Sequence, residues 1–226
     1  LLETVSRPDL IILGGDLSQD GSRASYVRVA EKLKIFEVPV YCVVGNHDNA
    51  DMLQDVYPLG NVTDQRHIVL KDWHIILLNS QIPDRVEGAL DLSQLQYLEH
   101  CLQMYPEHHA IVVFHHQPVP VGCAWLDNLG LKNASALWSM LANFPKMHTI
   151  LFGHVHQVHE GKKNNIAYYS APSTCIQFKR NSDNFGLEKL PPGFRWVDLY
   201  PEGRLETGVS RASEYVGQFD ENAKGY

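Results

Sequence analysis

The chain has 226 residues, 44% hydrophobic and 20% charged, a composition that supplies a substantial core and excludes a mainly disordered chain. Its apolar runs, such as Ile75–Leu78, are far shorter than the roughly 20 residues of a spanning helix, so no membrane span is expected. The net charge of −7 disfavours nucleic-acid partners, because proteins that bind a long phosphate backbone usually carry a basic face.

The first half of the chain alternates buried strands with helical patterns. Apolar runs of strand length are bounded by turn residues, and helical segments space their apolar residues by three or four. We predict, in order, a strand at Asp9–Gly14, a helix at Ser22–Glu37, a strand at Pro39–Val44, a short helix at Met52–Tyr57 and a hairpin of His67–Leu70 with Trp73–Asn79.

The second half begins in the same way and then changes to short strands about turns. Ser93 is a candidate N-cap for the helix at Leu92–Tyr105. The remaining predictions are strands at Ala110–Phe114 and His148–Phe152, a helix at Ala134–Phe144, and short strands at Gln157–Glu160, Ile166–Ser170, Gly193–Leu199 and Arg204–Val209. No linker or repeat divides the chain, so we expect a single domain over residues 1–226.

The cysteines indicate the compartment. They are widely spaced and form no CxxC pair, namely Cys42, Cys101, Cys123 and Cys175. Scattered cysteines in a chain of this size are typical of reduced thiols in a cytosolic protein, and no signal peptide is visible. We therefore expect a cytoplasmic protein.

Polar residues follow each of the four apolar strands at the point where the strand ends. In α/β sheets, sites form at the carboxyl ends of strands, so these turns are expected to meet. The candidate metal ligands are Asp16, Asn46, His115, His154 and His156. We expect His154 and His156 to point the same way, as residues i and i+2 of an extended segment do. Taken alone, each of these motifs is also typical of an ordinary turn.

This set of side chains suits a pair of metal ions. Imidazole nitrogen with carboxylate and amide oxygen favours divalent Zn, Mn, Fe or Ni, and Asp16 is able to bridge two ions. Two ions clamp a displacement at phosphorus and generate a bound hydroxide nucleophile. His47 and Asp48 are the candidate catalytic residues, with Asp48 orienting His47 as a donor toward phosphate oxygen or the leaving group. His116 is expected to face away from the ligands and to support them or the substrate.

The motifs that contain these candidate ligands resemble the signature motifs of a known family. Gly15-Asp16, Gly45-Asn46-His47-Asp48, His115-His116 and Gly153-His154-Val155-His156 match four of the five signature blocks of the calcineurin-like metallophosphoesterase superfamily. Within it, the chain is similar to the bacterial class III 3′,5′-cyclic AMP phosphodiesterases. Further matching stretches are Gly15–Asp20, Pro118–Asp127 and Ala171–Lys179.

The resemblance implies a fold and a set of roles. The fold is α/β with mixed α+β character, a four-layer αββα sandwich of two mixed sheets with flanking helices. One metal is assigned to Asp16, Asn46, His115 and His154. The other is assigned to Asp16 and His156 with an Asp-x-His pair. The implied substrate contacts are Asp16, Asn46, His47 and His156.

The fifth signature block is the Asp-x-His pair, and none precedes Asp16 in this sequence. Because the sequence opens at Leu1 without a methionine, we expect that an N-terminal strand and helix are missing from it.

We therefore expect a bacterial enzyme that hydrolyses cyclic AMP to 5′-AMP with two divalent or trivalent ions, Fe, Mn or Zn, and a metal-bound hydroxide. Two alternatives stay open. One is another metallophosphoesterase, acting on glycerophosphodiesters, nucleotides or phosphoproteins. The other is a catalytically silent binding scaffold, which predicts eroded ligands and is disfavoured by the five that are present.

Overall fold

The computed structural model describes residues 7–213, in which strands alternate with helices. The helices are α1 (Arg23–Leu33), α2 (Ala50–Val56), α3 (Leu92–Met104), α4 (Ala124–Asp127) and α5 (Ala134–Leu141). The strands are β1 (Ile11–Leu13), β2 (Val40–Cys42), β3 (His67–Val69), β4 (Trp73–Leu77), β5 (His109–Phe114), β6 (Met147–Phe152), β7 (Glu160–Lys163), β8 (Ile166–Ser170), β9 (Gln177–Phe178), β10 (Leu187–Glu188), β11 (Gly193–Leu199) and β12 (Leu205–Arg211).

A six-stranded mixed sheet with the order β3-β4-β5-β6-β8-β7 forms one of the two central layers. Strands β4, β5, β6 and β8 run parallel, and β3 and β7 are antiparallel edge strands. The other central layer consists of two separate pieces, the parallel pair β1-β2 and the antiparallel hairpin β11-β12. Because β5 and β6 are parallel, as are β1 and β2, the turns that follow each pair of strands lie at one end of it.

Alternating side chains along β4 separate the two faces of the large sheet. Ile75 and Leu77 pack toward β1-β2 and β11-β12, where Leu199 and Leu205 join them. Ile76, on the other face, packs among the residues of α3, α4 and α5. Apolar side chains of α1 and α2 cover the outer face of β1-β2. The order helices, sheet, sheet, helices confirms the four-layer sandwich.

Helix starts follow from side-chain caps. Ser22 accepts a hydrogen bond from the backbone N–H of Ser25 at the start of α1, and Asn49 caps α2 in the same way. The predicted cap of α3 is wrong, because Asp91 rather than Ser93 accepts from the N–H of Gln94, at 2.9 Å. The Ser93 hydroxyl instead donates to the Asp91 carboxylate, at 2.6 Å.

Other boundaries moved by a few residues, and some short elements were not predicted. The strand expected at Gln157–Glu160 begins only at Glu160, because residues 153–159 form the turn after β6. Helix α4 and the pair β9-β10 were not predicted. The four cysteines are free thiols, as expected. Within residues 7–213, none of the helices combines the length and apolar character that a membrane crossing requires.

Candidate metal centre

Three side-chain atoms converge on one imidazole nitrogen. His115 Nε2 lies 3.2 Å from Asp16 Oδ2, 3.1 Å from Asn46 Oδ1 and 3.2 Å from His154 Nδ1. These four residues follow β1, β2, β5 and β6, so the structure brings together the turns that the sequence indicated. Ligands held about 2.0–2.2 Å from one metal ion lie about 3.0–3.6 Å from each other. The distances from His115 Nε2 to the other three atoms therefore suit ligands of a shared metal ion.

The protonation pattern of this group also calls for a cation. His115 Nδ1 lies 2.7 Å from the Gly14 carbonyl, which accepts a hydrogen bond, so in the neutral ring Nδ1 carries the proton and Nε2 presents a lone pair. Asp16 and Asn46 likewise present oxygen lone pairs to that nitrogen. Burial opposes a proton on His115, yet the neighbouring Asp16 carboxylate outweighs it and raises the pKa of His115. The site attracts positive charge, and the His115–Gly14 bond orients the ring as in metal centres.

Asp16 is held as a carboxylate. Burial by itself would raise the pKa of Asp16. The charge and hydrogen bond of His115, together with the backbone N–H of His47 that donates to Oδ1 at 3.0 Å, hold that pKa well below its usual range. The side chain is therefore an anion bound on both sides by residues of neighbouring turns.

Backbone conformation at the site is unusual. The φ angles of Asp16, His154 and His156 are 54°, 61° and 47°. They lie in the left-handed region, which residues other than glycine seldom adopt. The expectation of an extended His154–His156 segment is therefore wrong. A Cβ on Gly45 would overlap the Asp16 carboxylate, which explains the glycine before Asn46.

His156 lies near this group, and its ring packs against Phe178. Its ring stacks on Phe178 with 4.2 Å between centroids and 7° between planes. Burial lowers the pKa of His156 to about 4, against the opposing charge of Asp16. The ring is thus neutral and close enough to the Asp16 carboxylate to feel its charge.

His116 is close to the ligands but engaged elsewhere. The ring nitrogens of His115, His116 and His154 come within 4.8 Å of one another. However, His116 Nε2 donates to the Val86 carbonyl at 3.0 Å, and Nδ1 accepts from the Ser80 hydroxyl at 2.8 Å. Burial and the charge of His115 lower the pKa of His116 to about 3, so it is a neutral supporting residue.

The Asp48 carboxylate is bonded to two backbone N–H groups and to a tyrosine hydroxyl. The Asp48 carboxylate accepts from the N–H groups of Ser18 and Gly45, at 3.1 and 2.9 Å, and from the Tyr26 hydroxyl, at 3.2 Å. Burial raises the pKa of Asp48 despite these donors. The Asp48 carboxylate is thus bonded to the turn that carries Asn46 and His47, and its catalytic role stays a prediction.

Three residues that support the site were missed from the sequence. Gln81 donates from Nε2 to the carbonyls of Gly45 and Asp48, at 2.9 and 2.5 Å, and thereby clamps the turn. Tyr26 holds Asp48, and Gln19 lies beside His47. Tyr26 and Gln81 lie outside the matching stretches, and Gln19 lies within Gly15–Asp20 without having been singled out there.

A four-layer sandwich with this set of ligands at its strand ends is the arrangement of a metallophosphoesterase. The chain belongs to the calcineurin-like phosphoesterase family, whose family model matches residues 1–158.

Its curated relatives include two bacterial enzymes named 3′,5′-cyclic adenosine monophosphate phosphodiesterase CpdA. The one from Pseudomonas aeruginosa is 38% identical over 220 residues, covering 97% of this chain and 80% of that protein. The one from Escherichia coli (strain K12) is 37% identical over 219 residues, covering 96% and 80%.

Solved structures share the fold. The Plasmodium protein GAP50, described as the anchor in the inner membrane complex, matches with a TM-score of 0.64 and 15% identity, covering 96% of this chain and 80% of that one. At this identity the likeness establishes the fold alone.

Proposed function

We propose that this chain hydrolyses 3′,5′-cyclic AMP to 5′-AMP at a dinuclear metal centre. The observation that carries the proposal is the convergence of three ligand atoms on His115 Nε2, in a chain whose cyclic AMP phosphodiesterase relatives match nearly its whole length. The site supports the reaction class, and the relatives support the substrate.

The residues present fit the metals in two groups. Asp16, Asn46, His115 and His154 would hold one ion, and Asp16 with His156 would contribute to the second, with Asp16 shared. Imidazole, amide and carboxylate donors favour Fe, Mn or Zn. When bound, such ions stabilise charge on the phosphoryl oxygens and lower the pKa of a water molecule so that it attacks phosphorus.

The protein residues then orient the diester. Asn46 and His47 lie on one turn, and the backbone N–H of His47 bonded to Asp16 fixes that turn against the ligands. We place His47 and His156 at the phosphate oxygens and assign His47 to the leaving 3′ oxygen. Attack from the side opposite this oxygen breaks the P–O3′ bond and gives 5′-AMP.

The test is turnover of the metal-loaded protein with cyclic AMP, bis-p-nitrophenyl phosphate and p-nitrophenyl phosphate. We expect 5′-AMP from cyclic AMP and little cleavage of the monoester. The variant His154→Ala should lose both metal and activity, while His100→Ala, at an exposed position on α3, should keep both.

Other outcomes separate the alternatives. Preference for the monoester would indicate a phosphatase, and cleavage of the synthetic diester without cyclic AMP turnover would indicate another phosphodiesterase. Absence of metal binding and of all turnover would indicate a silent scaffold. The cytoplasmic location stays a prediction.

A further inference from the structure

Two of the stretches that resemble the family contain none of the candidate metal ligands. Pro118–Asp127 includes α4, and Ala171–Lys179 includes β9. The two stretches meet in an aromatic cluster, where the ring centroids of Trp125 and Phe178 lie 5.2 Å apart and the rings are edge-on. Phe185 contacts both rings, with centroids 5.3 and 5.7 Å away. Phe178, none of which is exposed, is therefore held by two aromatic neighbours.

The ring of Phe178 also lies flat against the imidazole of His156. The centroids are 4.2 Å apart and the planes differ by 7°. The backbone joins the two residues as well, because the N–H of Phe178 donates to the carbonyl of His156, at 3.4 Å. Rotation of the imidazole about its Cβ–Cγ bond would drive one edge of it into the phenyl ring, since a close-packed interior leaves no space between them. The stack therefore fixes the plane of the His156 ring.

The backbone around the stack is tied to α4. The carbonyl of Lys179, directly after β9, accepts from Gln157 Nε2 at 3.2 Å and from Cys123 Sγ at 3.4 Å. Gln157 follows His156 in the chain, and Cys123 precedes the helix that carries Trp125. These bonds hold the segments of both stacked rings and of the supporting helix together.

The support of His156 differs from that of the first ligand group. His115 is oriented by a hydrogen bond to the Gly14 carbonyl, whereas His156 is oriented by an aromatic face. A metal ion draws electron density from the imidazole it binds, and an electron-poor ring is attracted to the electron-rich face of a phenyl group. The Phe178 ring is thus suited to a metal-bound His156 as well as to its orientation.

We propose that Phe178, supported by Trp125, is a positioning residue that holds the plane of the His156 ring for the second metal ion. The proposal rests on the proposed function, in which His156 binds that ion. It gives a role to α4 and to the β9-β10 pair, which contribute none of the candidate ligands. Loss of the stack should weaken binding of the second ion and leave the first ion unchanged.

The first test is a Mn²⁺ titration followed by electron paramagnetic resonance, with Phe178→Leu compared against Phe144→Leu. Phe144 is a half-buried residue between α5 and the start of β6, at the end of that strand opposite to the metal site. Two ions that share a carboxylate give an exchange-coupled signal, which a single ion does not give. The energy of an aromatic pair corresponds to a loss of affinity of about twofold to tenfold, which is expected for the second ion in Phe178→Leu alone.

Two further variants separate positioning from general stability. Phe178→Tyr keeps the stacked ring and should retain both ions. Trp125→Leu removes the edge-on support but leaves Phe178 in place, so it should weaken the second ion less than Phe178→Leu does. Because Trp125 is only partly buried, this variant also tests the proposal if Phe178→Leu fails to fold.

The second test needs neither metal nor activity. Carbon-bound protons that lie over an aromatic ring are shifted to higher field by its ring current. In the metal-free protein, the ring protons of His156, assigned by their absence in His156→Ala, should move to lower field in Phe178→Leu and stay unchanged in Phe144→Leu. Ring protons that do not respond to Phe178→Leu would show that the stack is absent in solution.

The outcomes distinguish this proposal from the proposed function. An unchanged affinity for the second ion in Phe178→Leu, or an equal weakening of both ions, would overturn the positioning role even if cyclic AMP is hydrolysed. A single ion in the unmodified protein would refute the dinuclear centre and the role of Phe178 with it. Two ions and a selective loss in Phe178→Leu, without turnover of cyclic AMP, would support the role of Phe178 and refute only the proposed substrate.

Discussion

The hydroxyl of Tyr26 links helix α1 to the metal-site turn, and Tyr26→Phe isolates its contribution. The side chain is fully buried, donates to Asp48 Oδ1 at 3.2 Å and accepts from the N–H of Asn49 at 2.8 Å. Phenylalanine keeps the edge-on contact with Tyr57, whose ring centroid is 6.2 Å away. The substitution therefore removes two hydrogen bonds and leaves the packing in place.

The expected loss of stability in Tyr26→Phe depends on the charge of Asp48, which accepts the hydrogen bond of the hydroxyl. A hydrogen bond to a charged group contributes about 1.5–3 kcal/mol, and Asp48 is buried while Asn49 is exposed and gains water instead. We expect the free energy of unfolding to fall by about 2 kcal/mol, which lowers the melting temperature by about 4–8 °C in a domain of this size. Metal affinity should fall about tenfold, because the turn that presents Asn46 loosens.

Tyr57→Phe is the matched control. Its hydroxyl donates at 3.0 Å to the backbone carbonyl of Tyr26, so its loss costs about 1 kcal/mol and leaves Asp48 untouched. Urea unfolding and metal titration of both variants provide the comparison. If Tyr26→Phe were no more destabilising than Tyr57→Phe and bound metal equally well, the link from α1 to the site would be refuted.

Three further predictions concern the turn and its metals. Gly45→Ala places a methyl group in the Asp16 carboxylate, so metal analysis should show loss of the ions with the circular dichroism retained, whereas Gly186→Ala, whose methyl group would meet the Lys179 side chain only at an ordinary van der Waals distance, should be silent. Gln81→Leu removes two donors from the carbonyls of Gly45 and Asp48, and thermal unfolding should show a loss of about 1–3 kcal/mol. Dialysis against a chelator should abolish turnover and lower the melting temperature, and added Mn²⁺ or Zn²⁺ should restore both.

The parts of the fold that the sequence predicted are those with a strong periodic signal. The runs that became β5 and β6 each end in consecutive apolar residues, and α1 repeats its buried residues at Tyr26 and Ala30. Helix α4 and the pair β9-β10 span two to four residues each, too few for a period to show. At the start of α3, Asp91 and Ser93 are both good caps, and only the backbone conformation selects Asp91.

In the candidate site, the predicted metal ligands could be found from the sequence, whereas the residues that support them could not. Asp16, Asn46 and His115 were found because each follows a strand, and strand ends converge for topological reasons. Their supports were not found, because Gln81 lies 36 residues from Gly45 and nothing local marks it. The left-handed φ of His154 was also invisible, since the same Gly-His-x-His letters suit an extended chain.

His116 lies close to the predicted metal ligands, but its hydrogen bonds argue against its being a ligand itself. Its nitrogens are near those of His115 and His154, an arrangement that by distance alone suits a three-histidine metal site. A metal on Nε2 of His116 would displace the Val86 carbonyl, and one on Nδ1 would displace the Ser80 hydroxyl. Either displacement leaves a polar group in the interior without its hydrogen bond, which costs about 1–3 kcal/mol.

His116→Gln should therefore keep the metal content of the unmodified protein and lower its melting temperature, since the amide replaces at most one of the two bonds. His115→Gln should lose metal, because the nitrogen around which the other three ligand atoms gather is gone. Metal analysis after dialysis, with thermal unfolding of both variants, distinguishes the two roles. Equal metal loss in His116→Gln and His115→Gln would show that His116 is a ligand. The hydrogen bonds to Ser80 and Val86 would then have to break when metal binds.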